Sequence, residues 1–251
     1  MGKFLDWLTE LFASARCPLC GHTMQDANGC LCGDCLRRLI AENRRVCAKC
    51  HEPAAWCKCC PDGFEIFTEV GGRHWLSHCF YTGYEEENPD LTTCLVYTAK
   101  QKNDRRLYRF IIGFLAADIR TRFAITGEDL NEWVCTYPPR SAGGYRKYGF
   151  DQGEEMAGLL AEELGIAFTP MFVKYAGNEQ KKAPNTAARQ KNMEKSLFLK
   201  PGISPAGEKI LLFDDIITTG STMLRAANLL YEKGAACVFP VSYAKTQRNV
   251  K

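Results

Sequence analysis

The chain reads Lys209-Ile210-Leu211-Leu212-Phe213-Asp214-Asp215-Ile216-Ile217-Thr218-Thr219-Gly220-Ser221-Thr222 at the point that decides its fold. The first five residues are typical of a buried strand, and residues 221–233 have the pattern of a helix. Between the two lie a pair of carboxylates and a short turn of Thr and Gly. The stretch therefore predicts a strand, a turn and a helix that begins directly after the glycine.

The turn has the composition of an anion-binding site. The first N–H groups of a helix have no partner within it and lie at its positive end. Gly220 allows the backbone to curl so that several N–H groups converge on one phosphate, and the hydroxyls of residues 218–222 add donors. Asp214 and Asp215, at the carboxyl end of the strand, can accept hydrogen bonds from two vicinal hydroxyls of a sugar. The sequence therefore predicts a ribose 5-phosphate site.

Three other interpretations of the paired aspartates are weaker. A Walker B element would be accompanied by a G-x-x-x-x-G-K-[ST] motif, which the chain lacks. A phospho-receiver domain does not fit into the fewer than 40 residues that follow. A plain helix cap needs one hydroxyl and no paired aspartates. Binding of a sugar phosphate accounts for all of these residues.

Residues 211–222 resemble the signature for 5-phosphoribosyl 1-pyrophosphate (PRPP) in type I phosphoribosyltransferases. The resemblance implies that Asp214 and Asp215 bind the 2′- and 3′-hydroxyls of PRPP, and that residues 218–222 hold the 5′-phosphate. It also implies Mg²⁺ at the pyrophosphate. A catalytic role for the two aspartates follows in the same way, one of them supporting an oxocarbenium-like transition state.

The rest of residues 63–251 alternates predicted helices and strands. Helical patterns cover residues 91–98, 107–119 and 152–164. Short apolar runs that are typical of strands lie at 133–137, 166–173 and 236–241. Residues 174–195 are polar and basic and indicate a loop with one helical turn. The alternation predicts an α/β fold with a mostly parallel sheet and flanking helices, and the resemblance makes it type I phosphoribosyltransferase-like.

Cysteine pairs dominate the first part of the chain. Ten of the fourteen cysteines lie before residue 61, which indicates thiolate–metal chemistry in a reducing compartment, so a cytoplasmic protein is expected. Two C-x-x-C turns complete a tetrahedral Cys₄ zinc site. We expect two Zn²⁺ sites, with the first pair matched to the second and the third to the fourth; one site with four spare thiols is the alternative. The pairs are Cys17/Cys20, Cys32/Cys35, Cys47/Cys50 and Cys57/Cys60.

Other side chains near these pairs are weaker candidates as ligands. Cys30 and Cys59 fall outside the pattern, although Cys59 can replace a neighbour, and His22 and His51 are alternative ligands. A redox-active dithiol is a further interpretation, which four successive pairs disfavour. Closed Cys₄ sites leave no open position for water, so the metal is expected to be structural rather than catalytic.

A turn at 61–63 (Pro-Asp-Gly) predicts the end of the cysteine module, so the expected domains are residues 1–62 and 63–251. The module begins with apolar residues at helical spacing over 4–12, interrupted by two acidic residues. That pattern favours a short amphipathic helix that packs on the protein rather than a signal peptide. Contact with a membrane surface is the alternative. No run of about 18 apolar residues is present, so no membrane span is expected.

The order of cysteine module and PRPP-type domain is similar to the ComF family. Residues 99–104 resemble the family's L-K-Y-x-G-D segment, and residues 146–152 resemble its R-x-R-G-F-N-Q element. A pyrophosphate needs several cations. Tyr148 stands where the family element has Arg, which removes one such cation. The cations that remain as expected pyrophosphate contacts are Lys100, Arg146 and Lys147, with Lys102 beside them.

Two hypotheses of different class share this site. The first is an enzyme that transfers the phosphoribosyl group of PRPP to an acceptor and releases pyrophosphate. The second, implied by the resemblance to the ComF family, is a non-catalytic factor of competence or DNA uptake that binds single-stranded DNA. Tyr145, Tyr148 and Phe150 lie among basic residues and can stack on bases. A formal charge of +3 at pH 7 neither demands nor excludes nucleic acid.

Overall fold

The computed structural model of the protein describes residues 16–24, 29–47, 49–57, 75–81, 90–140, 145, 149–175 and 196–246. Three sequence-based predictions lie outside these ranges: the helix at 4–12, most of the loop at 174–195 and the domain boundary at residue 62. Within the described ranges, no helix has the length and apolar character that crossing a bilayer requires.

A parallel sheet forms the centre of the fold. Its strands are Leu76–Tyr81 (β1), Trp133–Thr136 (β2), Ala167–Phe168 (β3), Lys209–Ile217 (β6) and Cys237–Thr246 (β7). Two short strands, Phe172–Lys174 (β4) and Leu197–Leu199 (β5), form a separate antiparallel pair. The strand order in the central sheet is β1-β7-β6-β2-β3, and every neighbouring pair is parallel. The predicted α/β sheet is confirmed.

Among the described residues, the α-helices are Gly33–Asn43 (α1), Leu91–Lys102 (α2), Arg105–Thr126 (α3), Gln152–Leu164 (α4) and Ser221–Glu232 (α5). Aspartate side chains begin three of them by accepting a backbone N–H of the first turn, which is a strong start signal. These N-cap residues are Asp90 for α2, Asp104 for α3 and Asp151 for α4.

Helices cover both faces of the sheet. Leu211 and Phe213 of β6 belong to one core, which also contains buried residues of α1 to α4. Ile210 and Leu212, their neighbours in the same strand, belong to a second core with α5 and the β4–β5 pair. Successive side chains of a strand point to opposite faces. β6 is therefore buried on both sides, which explains its continuous apolar run.

Several elements differ from the sequence-based predictions. The run at 166–173 is two strands, because Pro170 separates β3 from β4 and cannot donate to a sheet. The helix predicted at 107–119 continues to Thr126, and Phe123 in the added turn is buried in the core. β1 and α1 were not predicted. β1, an edge strand of the central sheet, buries the polar Ser77, whose hydroxyl lies 2.6 Å from that of Ser242. Its polar residues kept it from being predicted as a strand.

Candidate functional site

The two aspartates lie within the last part of β6. The strand is longer than predicted because β7 continues to pair with it, with Asp214 opposite Ser242 and Ile217 opposite Lys245. On the other side, β2 pairs with β6 only as far as Leu212. The carboxyl end of β6 thus extends past its neighbour β2. Ligands of open α/β sheets bind at this end of the strands.

The turn after β6 opens α5. Gly220 has a φ of 72°, a left-handed conformation that glycine adopts without strain, and it is the N-cap residue. No side chain of the described residues caps the helix, so backbone N–H groups dominate its positive end. The hydroxyls of Thr219 and Ser221 lie 3.0 Å apart, while Thr218 is exposed. A helix N-terminus of this kind can bind an anion.

Backbone N–H groups and one lysine hold the aspartates. The Asp215 N–H donates to Asp214 Oδ1 at 2.9 Å, and the Ile216 N–H donates to Asp215 Oδ1 at 2.7 Å. Asp215 Oδ2 lies 2.7 Å from Nζ of Lys100, near the end of α2. The two side chains of this ion pair are 19% and 26% exposed, so the pair is open to solvent and not sealed in the core.

The aspartates differ in their preference for a proton. Burial raises the pKa of Asp214 to about 8, and the negative charge of Asp215 adds to the rise. Burial acts on Asp215 in the same direction, but Lys100 and the Ile216 N–H outweigh it and lower the pKa of Asp215. Asp214 therefore binds a proton more readily than Asp215 does.

The loop after β2 brings another cation to this end of the sheet. The Arg140 N–H donates to Asp151 Oδ2 at 2.8 Å, and its guanidinium donates to Gln152 Oε1 at 3.2 Å. Asp151 also caps α4 through the Gly153 N–H at 3.0 Å. Loop and helix are thus fixed together. The positive charge of Arg140 also lowers the pKa of Asp215, by less than Lys100 and the Ile216 N–H do. Arg140 therefore lies within electrostatic range of Asp215.

Two more residues near the aspartates were not singled out from the sequence. Lys174, at the end of β4, is half-buried; burial lowers its pKa, and the charge of Asp214 opposes that shift. Tyr108 of α3 is fully buried, and its hydroxyl has no hydrogen-bond partner among the described residues. Burial raises the pKa of Tyr108, and the charges of Arg140 and Asp215 act on it. A lysine in a basic segment and a tyrosine in an apolar helix carry no distinguishing sequence signal.

The residues predicted to contact the pyrophosphate lie in different places. Lys100 contacts Asp215, as described above. Lys102 is exposed at the end of α2. Arg146 and Lys147 lie outside the described residues, and so does Tyr148.

The first two cysteine pairs form one cluster. The sulfur atoms of Cys17, Cys20, Cys32 and Cys35 all lie within 4.8 Å of one another, and those of Cys20 and Cys32 are 3.6 Å apart. Four thiolates at a Zn–S distance of about 2.3 Å form a tetrahedron with an edge of about 3.8 Å. Cys32 is the N-cap residue of α1 and Cys35 lies in its first turn, so a helix presents the second pair.

A second cluster contains Cys47, Cys50 and Cys57, with the sulfur atoms of Cys50 and Cys57 3.6 Å apart. Its expected fourth ligand, Cys60, lies outside the described residues, as does Cys59. The described cysteines therefore group in the predicted way, first pair with second and third pair with fourth. His22, His51 and Cys30 belong to neither group, and the Cys30 thiol donates instead to the carbonyl of Arg106 at 3.3 Å.

The two clusters begin with the same backbone turn. The Gly21 N–H donates to the carbonyl of Cys17 at 2.8 Å, and the His51 N–H donates to the carbonyl of Cys47 at 2.9 Å. Gly21 has a φ of 74° and His51 a φ of 60°. The position after the first C-x-x-C pair of each cluster is thus left-handed. His51 occupies this backbone position, which accounts for its proximity to the cluster.

The first cysteine of each turn is suited to be a thiolate. Burial acts to raise the pKa of Cys17, but three backbone N–H groups outweigh it and lower that pKa to about 6. Burial acts in the same direction on Cys47, but two backbone N–H groups and the thiols of Cys50 and Cys57 outweigh it and lower the pKa of Cys47 to about 7. Thiolates are the form that binds metals, and sets of thiolates favour soft ions such as zinc. Each cluster can therefore hold one metal ion.

Comparisons with known proteins agree with this geometry. The family model of the phosphoribosyl transferase domain matches residues 151–248. The chain is 27% identical to competence protein ComFC of Streptococcus pneumoniae, over 88% of this chain and 95% of that protein. It is 24% identical to DNA utilization protein YhgH of Salmonella typhimurium, over 88% of this chain and 93% of that protein. These matches confirm the resemblance predicted from the sequence.

Solved phosphoribosyltransferase structures match part of the chain. A purine phosphoribosyltransferase from Pyrococcus horikoshii superposes with a TM-score of 0.35 and 16% identity, over 55% of this chain and 73% of that one. The family match and the parallel sheet together confirm the predicted fold class, a type I phosphoribosyltransferase-like α/β domain behind a cysteine-rich segment that can bind metal.

Proposed function

We propose that this chain, which belongs to the ComF family, binds a phosphorylated ribose at the β6–α5 junction, with PRPP as the ligand. One observation carries the proposal: Asp214 and Asp215 directly precede a left-handed Gly220 turn at a helix N-terminus. The aspartates bind the 2′- and 3′-hydroxyls of the sugar. The N–H groups and hydroxyls of residues 218–222 bind the 5′-phosphate.

The cations near the aspartates suit the pyrophosphate. Lys100 exchanges its contact with Asp215 for a phosphate oxygen when the sugar hydroxyls occupy the carboxylate. Arg140 and Lys174 add positive charge near the same aspartates, and they compensate for the arginine that Tyr148 replaces. Mg²⁺, which prefers carboxylate and phosphate oxygens, supplies further neutralisation of the pyrophosphate when bound.

The enzymatic form of the proposal is phosphoribosyl transfer. The bond from C1 of the ribose to the pyrophosphate oxygen breaks, and a bond from C1 to a nucleophilic nitrogen of the acceptor forms. Pyrophosphate and the proton of the acceptor are released. Asp215, ionised beside the sugar, stabilises the positive charge that develops on the ring in the transition state.

Isothermal titration of PRPP with Mg²⁺ into the purified chain tests the binding proposal. We expect one site per chain and at least tenfold weaker binding in Asp215→Asn, since a carboxylate acceptor is lost. Glu208→Gln is the matched control, because Glu208 is exposed and directly precedes β6, at the end of that strand opposite to the aspartates. No heat of binding in the wild type would reject the proposal.

A pyrophosphate-release assay with bases and amines separates the enzyme from a binding protein. Turnover that is lost in Asp215→Asn supports transfer. If PRPP binds but no pyrophosphate is released in the presence of any acceptor tested, the function is restricted to binding.

For the two cysteine clusters we propose structural Zn²⁺. Support comes from the thiolate-only donor sets and from sulfur distances that match a tetrahedron. Reduced cysteines of this kind persist in a reducing compartment, so the cytoplasm is the proposed location.

A second candidate function is binding of single-stranded DNA. Two relatives are named for competence and for DNA utilization, and a pair of exposed aromatic rings favours the idea. Tyr175 and Phe198, on the β4–β5 pair, lie 5.6 Å apart and are 58% and 40% exposed. Exposed rings of this kind suit stacking on bases, and Lys200, two residues after Phe198, is exposed and adds positive charge.

Fluorescence anisotropy with a labelled oligothymidine tests this candidate. We expect binding that weakens steeply with salt, and at least tenfold weaker binding in Tyr175→Ala. Ile125→Ala is the control, because Ile125 is 65% exposed and distant in sequence from the aromatic pair. No salt-dependent binding at micromolar protein would eliminate the candidate.

A further inference from the structure

One helix connects the cysteine module to the ribose-phosphate site. The last turn of α2 carries Lys100, whose Nζ lies 2.7 Å from Asp215 Oδ2. The start of α2 contacts residues at the end of α1, which belongs to the module. The two ends of α2 therefore face two different parts of the protein.

Glu42, near the end of α1, binds the start of α2. Its Oε2 accepts the Leu91 N–H at 2.7 Å and the Thr92 N–H at 3.4 Å. A helix cannot satisfy these first N–H groups internally, and its dipole favours a carboxylate beside them. Glu42 is thus a helix cap supplied by a distant part of the chain.

Residues that follow Glu42 in the chain also contact the start of α2. Asn43 Oδ1 accepts the hydroxyl of Thr92 at 3.1 Å. Arg45 donates to Asp90 at 2.9 Å, and Asp90 in turn caps α2. The Asp90 side chain is only 5% exposed. The start of α2 is therefore buried between charged groups of the module, with little freedom to shift.

α1 itself is held at two points before it reaches Glu42. It begins at Cys32 and carries Cys35 in its first turn, and both residues belong to the first cluster. In its middle, Leu39 is fully buried in the core that contains α2 and α3. The cluster and the core thus fix the position of the Glu42 carboxylate.

The length of α2 turns a small tilt into a large displacement. Lys100 lies nine positions after Leu91, which corresponds to about 13 Å of helix at about 1.5 Å per residue. A tilt of about 10° at the start would move the far end by about 2 Å on this geometry. Such a shift is enough to break the contact between Lys100 and Asp215.

We propose that Glu42 is a positioning residue for the ribose-phosphate site. It fixes the tilt of α2 and so holds Lys100 at the aspartates and at the position where the pyrophosphate binds. The inference rests on the proposed function and extends it, since it gives the cysteine module a role in ligand affinity. Glu42 itself touches no ligand, because its carboxylate lies at the opposite end of α2.

A double-mutant cycle on the full, metal-loaded chain tests the role of Glu42. We expect Glu42→Ala to weaken binding of PRPP with Mg²⁺ about tenfold, in line with the loss of a helix cap. Glu42→Gln, whose amide oxygen still accepts N–H groups, should retain most of the affinity. Glu52→Gln, an exposed acid of the same module, should change nothing. In a Lys100→Met background, Glu42→Ala should add no further loss.

A merely structural role predicts a different result: Glu42→Ala would lower the unfolding temperature and leave PRPP affinity unchanged. Full additivity with Lys100→Met would likewise overturn the proposal, because the effect would not pass through Lys100.

A second measurement needs no ligand and separates this inference from the proposed function. Acetylation of each lysine is followed by mass spectrometry, with Lys209 as internal reference. We expect Lys100 to react several-fold faster in Glu42→Ala, since its contact with Asp215 is loosened. If wild-type protein fails to bind PRPP but Lys100 is acetylated faster in Glu42→Ala than in wild type, only the proposed function is rejected. An unchanged rate at Lys100 rejects the positioning role whatever the binding result.

Discussion

Lys245 Nζ donates a hydrogen bond of 2.9 Å to the backbone carbonyl of Cys57, so the last strand of the sheet reaches the second cysteine cluster. The lysine is 2% exposed, and its ammonium lies 5.5 Å from the ring centre of Trp75 and 5.4 Å from that of Phe80. Its backbone lies opposite Ile217, the residue directly before the turn at 218–220. The second cluster is therefore attached to the pair of strands that carries the candidate site.

Replacing Lys245 by Met should loosen the second cluster. A hydrogen bond from a charged donor contributes about 1.5–3 kcal/mol, so we expect a loss of about 2 kcal/mol in the free energy of unfolding. We also expect one of two bound zinc ions to transfer faster to a chromogenic chelator. Lys209→Met is the control, because the Lys209 ammonium forms ion pairs at the surface with Glu128 and Glu132, and surface ion pairs contribute little to stability. Equal zinc-transfer rates in wild type and Lys245→Met would contradict the prediction.

The raised pKa of Asp214 predicts a pH-dependent loss of stability. The unfolded chain releases this proton near pH 3.8, whereas the folded protein holds it until about pH 8. Between these values the folded state binds more protons, so the contribution of Asp214 to stability falls as pH rises. Asp214→Asn removes the ionisation. Its unfolding temperature should therefore rise relative to wild type between pH 5 and pH 8. For Glu208→Gln, the difference in unfolding temperature from wild type should not change with pH. If that difference were also independent of pH for Asp214→Asn, the raised pKa of Asp214 would be disproved.

The sequence predicted those parts of the site whose residues are contiguous. The apolar run to Phe213, the two aspartates and the turn at Gly220 share one segment, so their chemistry could be worked out from residue types and spacing alone. The C-x-x-C pairs are equally local. Lys100 came from a family resemblance, and its contact with Asp215 depends on the packing of α2.

Other residues of the site depend on the fold as a whole. Tyr108 occupies an apolar position of α3, and Lys174 ends a strand that the sequence analysis merged with its neighbour. Neither has a local signal, because what distinguishes each is the charge of an aspartate from a different strand. The contacts of Glu42 with the start of α2 could not be predicted for the same reason. It joins residues that are separated by about 50 positions, and α1 itself was not predicted.

Substitutions of single cysteines test the assignment of ligands. Cys17→Ser should lower the zinc content, measured by elemental analysis, from two ions per chain to about one. Loss of a structural zinc ligand should also destabilise the fold. Cys30→Ser should keep both ions, because the Cys30 thiol binds the carbonyl of Arg106 instead of the cluster. Loss of an ion in Cys30→Ser would show that the grouping of ligands is wrong.

The conformation of His51 gives a test of its role. A non-glycine residue at a φ of 60° is strained, by about 1–2 kcal/mol. His51→Gly should therefore leave zinc content unchanged and stabilise the fold by up to about 1 kcal/mol, since glycine also loses more entropy on folding. Urea unfolding measures the effect. His22→Gly, at a position without positive φ, is the control and should not stabilise. A drop in zinc content in His51→Gly would instead identify His51 as a ligand.

Gly220 allows backbone strain to be separated from ligand binding. Gly220→Ala places a side chain at a φ of 72°, which costs about 1–2 kcal/mol of stability. Gly165→Ala imposes the same strain at a φ of 73°, at the end of α4, where an added Cβ meets nothing within 4 Å. Both variants should therefore lose similar stability in urea.

Only Gly220→Ala should also lose affinity for PRPP, by at least tenfold, because its turn presents the N–H groups to the 5′-phosphate. Titration of ribose 5-phosphate should show the same loss, since the contact involves the phosphate and not the pyrophosphate. If both glycine variants bind PRPP as tightly as wild type, the 5′-phosphate binds elsewhere, and the aspartates of β6 would have to hold the sugar without the turn beside them.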